Sequence, residues 1–375
     1  MSSPGFFFTV LAFLLCIGPL VFVHELGHYF VGRWFGVKAE TFSIGFGREI
    51  LGWTDRRGTR WKVGWLPMGG YVRFAGDMNA ASTPSDEWLS LPAEERAKTF
   101  QAKGVWQRFL IVLAGPATNF LFAFFAFMAI FAINGLPTSP PVIGGVVAGS
   151  AADEAGIAPG DHVVAIDGHA LETYADLAAY VALRPEQRLI FRIQRGSRIE
   201  EVPVTIRADT ARDEFGNSAR VGRLGVVGTM IFSKVPVTEL PGASLRAIAG
   251  SLEAMVAVLS QVATGERSVR ELGGPLKIAE VSGQQASLGW INFFALMTIV
   301  SINLGFINLL PIPLLDGGHL LFYLIEGVRR RPLKPEAQEW AFRAGLTVLL
   351  ALMVFVTFND LASFGLFTKL GGLIG

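Results

Sequence analysis

Residues 19–35, PLVFVHELGHYFVGRWF, decide the fold class of this chain. The stretch closes an apolar run over residues 6–35, and about 20 helical residues are enough to cross the hydrocarbon core of a bilayer. Two histidines and a glutamate nevertheless lie inside this run. Ionisable side chains in a membrane helix cost about 2.5–3.5 kcal/mol each, so they usually mark a functional site. We therefore expect a membrane protein whose chemistry lies within the bilayer.

The spacing of His24, Glu25 and His28 is typical of a zinc site. Histidines four positions apart share one face of a helix, so both imidazoles can bind the same metal ion. The glutamate between them can contact a metal-bound water and accept its proton during attack on a carbonyl. The motif therefore predicts a zinc-dependent hydrolase, and a pair of buried structural histidines is the alternative.

The composition of the whole chain supports a membrane protein. Charged residues make up 17% of the 375 residues and hydrophobic residues 51%, and the mean hydropathy is +0.45. A soluble domain carries about 25% charged residues. The net charge of +1 provides no basic field for nucleic acid, so we predict no nucleic-acid partner. The single cysteine, Cys16, excludes an intramolecular disulfide.

Hydropathy predicts four membrane spans, at residues 6–35, 109–133, 291–325 and 344–358. Lysine and arginine concentrate in the segment after the first span and in the loop before the fourth, and short basic loops face the cytoplasm. Four spans then place both termini on the outer side, together with the long region between the second and third spans. The histidines lie in the inner half of the first span.

A soluble insert separates the second span from the third. Residues 141–208 contain short β-branched runs divided by Gly, Asp and Pro turns, which is typical of strands. Within them, GVVAGSAADEAGIAPGDHVVAIDGHAL at residues 145–171 resembles a PDZ domain, an α+β fold that binds extended peptides along a groove. Residues 241–262 predict an amphipathic helix, either on the membrane surface or packed against the soluble domain.

A zinc site of this type needs a third protein ligand, and the third span offers one. The tract NLLPIPLLDGG at residues 308–318 interrupts that span with two prolines, two glycines and one carboxylate, Asp316. Irregular backbone at membrane depth occurs where it is buried in protein or lines a wet cavity. We therefore predict Asp316 as the third ligand, with His319 as its rival. His162 and His169 flank turns of the insert, and we assign them no chemistry.

Five motifs along the chain make it similar to the site-2 proteases, and most closely to the bacterial regulator of sigma-E protease. They are HELGH at residues 24–28, PMGGY at 67–71, AGPATN at 114–119, GGP at 273–275 and the tract at 308–318. The resemblance covers nearly the whole chain. The best-studied members of the family carry two PDZ domains in tandem, whereas this sequence shows one.

The resemblance implies zinc-dependent cleavage of transmembrane helices. His24, His28 and Asp316 would be the ligands of Zn²⁺, and Glu25 would be the general base. The expected substrates are single-span membrane proteins, either an anti-sigma factor or remnant signal peptides, cut in regulated intramembrane proteolysis and the sigma-E stress response. A peptide ligand of the PDZ domain and the lipid bilayer are the other expected partners.

The resemblance also implies a substrate-binding region. Asn308, Pro311 and Pro313 would help to hold the substrate. Residues 40–74, which alternate apolar and polar side chains around a turn, would form a membrane-associated β-hairpin region with an edge open to the substrate. That role suits Gly45 and Gly47. Strand pairing would stabilise the extended form in which a peptide bond is open to attack. A hairpin that merely packs on the cytoplasmic side is the alternative.

These expectations define one architecture: a polytopic α-helical membrane protein of about four transmembrane helices with a membrane-associated β-hairpin region and one inserted α+β PDZ domain. Its predicted parts are an N-terminal membrane part, a periplasmic PDZ domain, a membrane-surface segment and a C-terminal membrane part, at residues 1–135, 136–230, 231–290 and 291–375. The predicted location is the bacterial inner membrane, with the active site toward the cytoplasm and both termini periplasmic.

Two other functions fit parts of the sequence. A non-enzymatic membrane adaptor would use only the PDZ domain, and a metal transporter would use His and Asp in membrane helices as an ion path. Glu25 between the two histidines and the proline-broken tract favour hydrolysis. The PDZ domain, tethered between two spans, would act either as a gate for substrates or as their recruiter.

Overall fold

The computed structural model describes residues 4–76, 90–212, 218–266, 268, 273–331 and 333–363. The chain forms two compact units: unit 1 contains Met1–Ala129 and Ser244–Gly375, and unit 2 is the insert Ile130–Ala243. Unit 2 encloses the domain predicted at residues 136–230. The chain ends at residues 1–3 and 364–375, which the sequence assigns to the periplasm, lie outside the described residues.

The helices of the described chain are α1 (Phe6–Trp34), α2 (Ala93–Arg96), α3 (Val105–Asn134), α4 (Ala151–Glu154), α5 (Tyr174–Ala182), α6 (Leu240–Thr264), α7 (Pro275–Ser287), α8 (Trp290–Leu309), α9 (Asp316–Arg329) and α10 (Pro335–Ser363). The strands are β1 (Ala39–Thr54), β2 (Arg60–Phe74), β3 (Leu136–Thr138), β4 (Ile143–Val146), β5 (His162–Ile166), β6 (His169–Ala170), β7 (Arg188–Arg195), β8 (Arg198–Thr205), β9 (Arg207–Arg212), β10 (Ser218–Arg223), β11 (Val226–Gly228) and β12 (Ile231–Ser233).

Five helices of the described chain are long and apolar enough to cross a membrane: Phe6–Trp34, Val105–Asn134, Val237–Thr264, Trp290–Leu309 and Glu336–Leu361. The first, second and last match predicted spans. The third is the segment that the sequence assigns to an amphipathic helix. Its most apolar window has no buried residue, whereas the other candidates bury part of theirs. The chain is a multi-pass membrane protein.

The predicted span at residues 291–325 is two helices, α8 and α9, joined by an irregular link at residues 310–315. Two prolines lie in this link, and Leu314 has a positive φ of 86°. A Cβ atom on Gly318 would lie only 2.5 Å from the Ile312 carbonyl oxygen, so the link folds back tightly on the start of α9. This turn makes Asp316 the first residue of α9.

The β1–β2 region confirms the predicted hairpin but is more folded than a simple one. Residues 39–44 pair with 70–74 on one side and with 60–63 on the other, and 60–63 pair in turn with the second half of β1. The chain bends at Gly45 and Gly47, whose φ angles are 82° and 83°. The result is a small sheet of four short segments, in which residues 70–74 form an edge.

The core of unit 1 lies between α1, this sheet, α3 and α9. Its buried aromatic and aliphatic side chains are Tyr29, Val37, Ala39, Phe42, Phe74, Phe100, Ile111 and Tyr323. On the other half of α1, helix α7 approaches closely, since a Cβ atom on Gly283 would lie 2.7 Å from the Thr9 hydroxyl. The buried Asp360 of α10 accepts hydrogen bonds from the Gly274 and Lys277 N–H groups at the start of α7, at 3.0 and 3.2 Å.

Unit 2 is an α+β domain, as the sequence predicts. A four-stranded sheet in the order β6-β5-β7-β8 packs with α4 and α5 around a core that includes Val163, Phe191 and Ile193. Strand β11 pairs with β4, and β12 pairs with β3 at the base of the unit. The domain therefore extends well past residue 208, where the predicted strands end.

Candidate metal centre

Three side chains predicted as metal ligands meet at one point. The His24 and His28 Nε2 atoms lie 3.2 Å apart, and Asp316 Oδ2 lies 3.1 and 3.5 Å from them, respectively. A tetrahedral zinc site with bonds of about 2.0–2.1 Å separates its ligand atoms by roughly 3.3–3.4 Å. The three atoms therefore have the spacing of one face of such a tetrahedron. Among the described residues, they form the one cluster with metal-ligand spacing.

The surroundings of the cluster also fit a metal ion. Asp316 Oδ2 is buried and has no hydrogen-bond donor among the described residues. The His28 Nδ1 atom lies 2.9 Å from the carbonyl oxygen of Ile111 and donates a hydrogen bond to it. This bond keeps the proton on Nδ1, so the lone pair of Nε2 faces Asp316 and is free for a metal.

Asn119 holds the outer nitrogen of the other histidine. Its side-chain amide lies 3.0 Å from His24 Nδ1, while its Oδ1 has no partner when the nitrogen faces the ring. A metal-binding His24 carries its proton on Nδ1, which needs an acceptor. The opposite orientation of the amide satisfies both groups, because amide oxygen and nitrogen occupy equivalent positions. We assign Oδ1 as the acceptor from His24.

Helix α3 reaches the cluster through a glycine. A Cβ atom on Gly115 would lie 2.9 Å from His24 Nε2 and would collide with His28 Nε2. A Cβ atom on Gly27 would likewise collide with the Ala114 carbonyl oxygen. The two glycines therefore let α1 and α3 approach backbone to backbone, and they leave room at the point where the ligand atoms converge.

Glu25 lies beside the cluster, in a cavity of about 460 Å³ that also contains the three ligand residues. The Glu25 side chain is buried, with the whole residue 7% exposed, and its carboxylate accepts a hydrogen bond from the Val72 N–H. Val72 belongs to the edge segment of the small sheet. The cavity thus joins the carboxylate, the ligand cluster and an open strand edge.

Comparison with known proteins places this geometry in a family. The family model of "Peptidase family M50" matches residues 12–352. The chain belongs to peptidase family M50. This result confirms the resemblance to the site-2 proteases, and Zn²⁺ is the cofactor, as the sequence predicts.

Relatives of this M50 peptidase match it along nearly their whole length. A protein of Agrobacterium fabrum named "Putative zinc metalloprotease" is 40% identical over 97% of this chain and 98% of its own. A protein of Rhizobium meliloti, "Putative zinc metalloprotease R01501", is 41% identical over 94% of this chain and 96% of its own. "Metalloprotease MmpA" of Caulobacter vibrioides is 35% identical over 98% and 99%.

Of the residues predicted to bind substrate in this M50 peptidase, one lines the cavity and four do not. Asn308 lines the cavity. Pro311 and Pro313 shape the link before α9 but do not line the cavity, which Leu314 and Leu315 contact instead. Gly45 and Gly47 form the bend of β1 and also lie outside the lining.

The open edge beside the metal centre lies elsewhere in the sheet. Residues 69–72 line the cavity, and segment 70–74 pairs with β1 on one side only among the described residues. The motif PMGGY contains the start of this edge, so its two glycines were the available signal in the sequence. A Cβ atom on Gly70 would lie 2.9 Å from a methyl group of Val21, which shows how closely the edge approaches α1.

His319, the rival ligand, lines the same cavity but stands outside the three-residue cluster. Its ring packs against Phe342 of α10, with 5.0 Å between the ring centroids. Asn119 is the last residue of the motif AGPATN, which the sequence analysis singled out without giving the residue a role. Its contact with His24 depends on how α3 lies against α1, which no local pattern encodes.

Proposed function

We propose that the chain is an intramembrane zinc metalloendopeptidase that cleaves the transmembrane segments of single-span membrane proteins. The observation that carries this proposal is a single cavity lined by Glu25, the three-ligand cluster and an open strand edge. Glu25 and the two histidines of the cluster lie on an apolar helix that is long enough to cross a membrane. A transporter would need no carboxylate beside the metal ligands and no strand edge.

The chemistry of the proposed reaction divides between the metal and the protein. When bound, Zn²⁺ lowers the pKa of its water and polarises the scissile carbonyl. A carboxylate oxygen of Glu25 accepts the proton as water attacks the peptide bond, and later returns it to the leaving amine. The Val72 N–H holds that carboxylate in place. Asn308 lines the cavity, which supports a role in holding the substrate backbone.

The substrate must be extended to be cut. A helix keeps its peptide groups hydrogen-bonded along its own axis, so attack requires that it unwinds locally. We propose that the unwound stretch pairs with the edge segment 70–74. Apart from the Val72 N–H, which donates to Glu25, the outer side of this edge carries backbone groups that no described strand satisfies. Exposed apolar side chains on the same sheet would contact lipid, and they are Phe46, Ile50, Leu51, Trp53 and Trp65.

We propose four membrane crossings, by α1, α3, α8 with α9, and α10, in a bacterial inner membrane with the basic loops in the cytoplasm. Helix α6 is long enough to cross, but Gly283 of α7 lies close to Thr9 near the N-terminal end of α1, which is the outer end in this proposal. Because α3 also ends on that side, α6 starts and ends at the outer face. It therefore lies along the surface, and unit 2 is periplasmic.

The proposed substrates are an anti-sigma factor, remnant signal peptides or both, as in the sigma-E stress response. We further propose that unit 2 binds peptides along a groove between α5 and β11.

The decisive test is cleavage by the purified protein in detergent. The protein is incubated with a panel of single-span membrane proteins, with and without a zinc chelator, and any cut is mapped by mass spectrometry. We expect a zinc-dependent cut within a transmembrane segment. Cuts only outside such segments, or undiminished cleavage after chelation, would refute the proposal.

Glu25→Gln is the matched control. The amide keeps the shape of the side chain but cannot accept a proton, so we expect cleavage to fall about 100- to 10,000-fold while zinc content stays the same. A variant that cuts at the wild-type rate would show that Glu25 is not the general base.

A further inference from the structure

One ion pair joins the first turn of helix α3 to the last turns of helix α9. Arg108 and Glu326 lie 218 residues apart in the sequence, yet Arg108 Nη2 donates a 2.8 Å hydrogen bond to the Glu326 carboxylate. Each side chain is only 14% exposed. Removing one partner of such a pair leaves a poorly solvated charge and is costly. The pair is therefore a strong, directional contact between two distant helices.

Two further contacts surround this ion pair. The Arg108 guanidinium lies over the Tyr323 ring, with 5.0 Å between its central carbon and the ring centroid. A Cβ atom on Gly327 would lie 3.3 Å from the Trp106 ring, so that ring contacts the backbone of α9 closely. The first turn of α3 thus holds one side of the C-terminal half of α9.

Arg108 lies on the face of α3 that serves the metal centre. Ile111, Gly115 and Asn119 follow it at steps of three, four and four residues, which keep positions on one face of a helix. The Ile111 carbonyl and the Asn119 side chain contact the rings of the two ligand histidines. The same face therefore orients two ligands directly, and Arg108 connects it to the helix that carries the third.

The place of that third ligand depends on where α9 lies. Asp316 is the first residue of the helix, and the irregular link at residues 310–315 precedes it. At the other end, Arg330 has a left-handed φ of 53°. Helix α9 is thus a short rod between two interruptions, and neither α8 nor α10 continues it. Its ring contacts with Phe342 of α10 are apolar and therefore less directional than an ion pair.

The position of Asp316 allows little error. Its Oδ2 atom lies 3.1 and 3.5 Å from the Nε2 atoms of the two histidines. A slip of α9 by one residue would move the carboxylate about 1.5 Å along the helix axis and turn it by about 100°. Metal-ligand bonds tolerate deviations of about 0.2 Å. Glu326 lies about 15 Å further along the same helix, so fixing its position fixes that of Asp316.

We propose that Arg108 is a positioning residue of the metal centre. Through its ion pair with Glu326, it holds α9 in the register that places Asp316 beside the two histidines. One face of α3 thus positions all three ligands, two through their rings and the third through its helix. This inference rests on the zinc centre of the proposed function, and its measure is zinc binding rather than cleavage.

The test measures zinc binding by the full-length protein in detergent. Zinc affinity is obtained by competition with a chelator, and the melting temperature is recorded with and without zinc. Glu326→Gln keeps the shape of the side chain but removes its charge, so we expect zinc affinity to fall about tenfold. Bound zinc stabilises the folded protein according to its affinity, so the zinc-dependent rise in melting temperature should shrink.

Two more variants and a control locate the effect. Arg108→Gln should lower zinc affinity by the same factor. The double variant should bind zinc no more weakly than either single variant, because both substitutions remove one contact. Glu339→Gln is the matched control, since its carboxylate meets Arg343 in an exposed pair within α10. Its zinc affinity should stay within about twofold of the wild type.

The outcomes separate positioning from a purely structural role. Unchanged zinc affinity in Glu326→Gln would overturn the inference, and so would losses that multiply to about a hundredfold in the double variant. Melting temperatures that fall equally with and without zinc would show a structural role only, and would overturn it too. If Glu326→Gln does not fold, Glu326→Asp, which keeps the charge but shortens the side chain, provides the same comparison.

The proteolytic function is tested separately. A wild-type protein that binds no zinc would refute the metal centre and this inference together. A wild-type protein that binds zinc but cuts no transmembrane segment would refute the proposed function alone, while a tenfold loss of zinc affinity in Glu326→Gln would still support the role of Arg108.

Discussion

At the scale of single residues, the metal centre depends on helix α3 as much as on the HELGH motif. The Ile111 carbonyl fixes the ring of His28, and Asn119 fixes that of His24. Partners of this kind orient the ligand nitrogen and raise its basicity, and losing one typically costs about 10- to 100-fold in metal affinity. The rings are therefore pre-arranged before zinc binds.

Gly115→Ala tests how closely α3 must approach. The added methyl group would collide with His28 Nε2 and press on His24, so we expect zinc affinity to fall at least about tenfold. Alanine has a higher helix propensity than glycine, so the substitution should not unfold α3. Gly18→Ala is the control, because a Cβ atom there meets no neighbour within 4 Å on the same histidine-bearing helix. Metal analysis after a chelator titration compares the two, and equal zinc retention would contradict the role of Gly115.

The ligand count gives a second prediction at this scale. Asp316→Ala removes one of three converging ligand atoms, so we expect the purified protein to lose its zinc. His319→Ala should retain zinc, because His319 lines the cavity without joining the cluster. Metal content measured by mass spectrometry decides between them. The reverse pattern would transfer the ligand role to His319.

The sequence predicts the three metal ligands but not the roles of Gly115 and Asn119, and the difference has a physical reason. His24 and His28 are one helical turn apart, so their spacing alone puts both on one face. Asp316 stands out because it is a charge beside a proline-broken stretch of a membrane span. The roles of Gly115 and Asn119 arise from contact between helices about ninety residues apart, and no pattern within either helix reports that contact.

At the scale of elements, the sequence predicts the turn of the hairpin but not which strand segments pair with each other. Asp55 accepts hydrogen bonds from the Arg57 and Thr59 N–H groups, which explains the predicted turn of the hairpin. The sequence does not show that residues 39–44 pair on both sides, because pairing depends on the bend at Gly45 and Gly47. That bend, in turn, decides which segment becomes the edge beside Glu25.

In unit 2, one ion pair links the start of β5 to the end of β7. The buried Asp161 accepts two hydrogen bonds from Arg195, at 2.8 and 2.9 Å, and one from the Ala158 N–H at 2.9 Å. Burial acts to raise the pKa of Asp161, but these hydrogen bonds outweigh it and hold the pKa below its usual range. The carboxylate therefore stabilises the folded sheet in its charged form.

Asp161→Asn should lower the free energy of unfolding of this sheet by about 1.5–3 kcal/mol at pH 7, the range for hydrogen bonds to charged groups. Hydrogen exchange at the buried Phe191 amide measures it in the full-length protein. Because the folded pKa is lowered, the wild-type advantage is complete above about pH 4 and is lost as the pH falls through the folded pKa.

The control for this prediction uses the same arginine. Glu200 lies 3.3 Å from Arg195 at an exposed position, so Glu200→Gln should change stability by less than about 1 kcal/mol. A difference between the two variants that persists unchanged well below pH 3 would refute an electrostatic origin of the effect.

At the scale of the whole molecule, unit 2 is inserted through a narrow stem. Strands β3 and β12 pair with each other, with Thr138 opposite Ile231, so the chain enters and leaves the domain at neighbouring positions. The sequence predicted an insert at residues 136–230 from its turns and short strands, but it did not predict the strands β11 and β12 that close the domain. Strands β11 and β12 are three residues long and pair with strands about eighty to ninety residues earlier.

The stem makes a clean deletion of unit 2 practicable. Removal of residues 139–230 and their replacement by Asn-Gly would turn β3 and β12 into a hairpin, since this dipeptide favours the tight turn that joins paired strands. A deletion of residues 141–208 alone would leave β11 without β4 and would expose core residues. The metal centre lies entirely in unit 1 and should keep its zinc in the deletion variant.

The deletion distinguishes a gate from a recruiter. Both ends of unit 2 are tethered to membrane helices, so on the proposed topology its local concentration at the outer face is high, and weak contacts suffice to obstruct or to capture a substrate. We expect a gate: the variant should cut a full-length single-span substrate as fast as one with a shortened outer segment, whereas the intact protein should prefer the shortened one. A recruiter would give the opposite sign, with slower cleavage of the shortened substrate after deletion. The deletion variant that also carries Glu25→Gln should cut neither substrate, which ties any new cleavage to the metal centre. Discrimination that is unchanged by the deletion would exclude the gate, because the preference would then reside in unit 1.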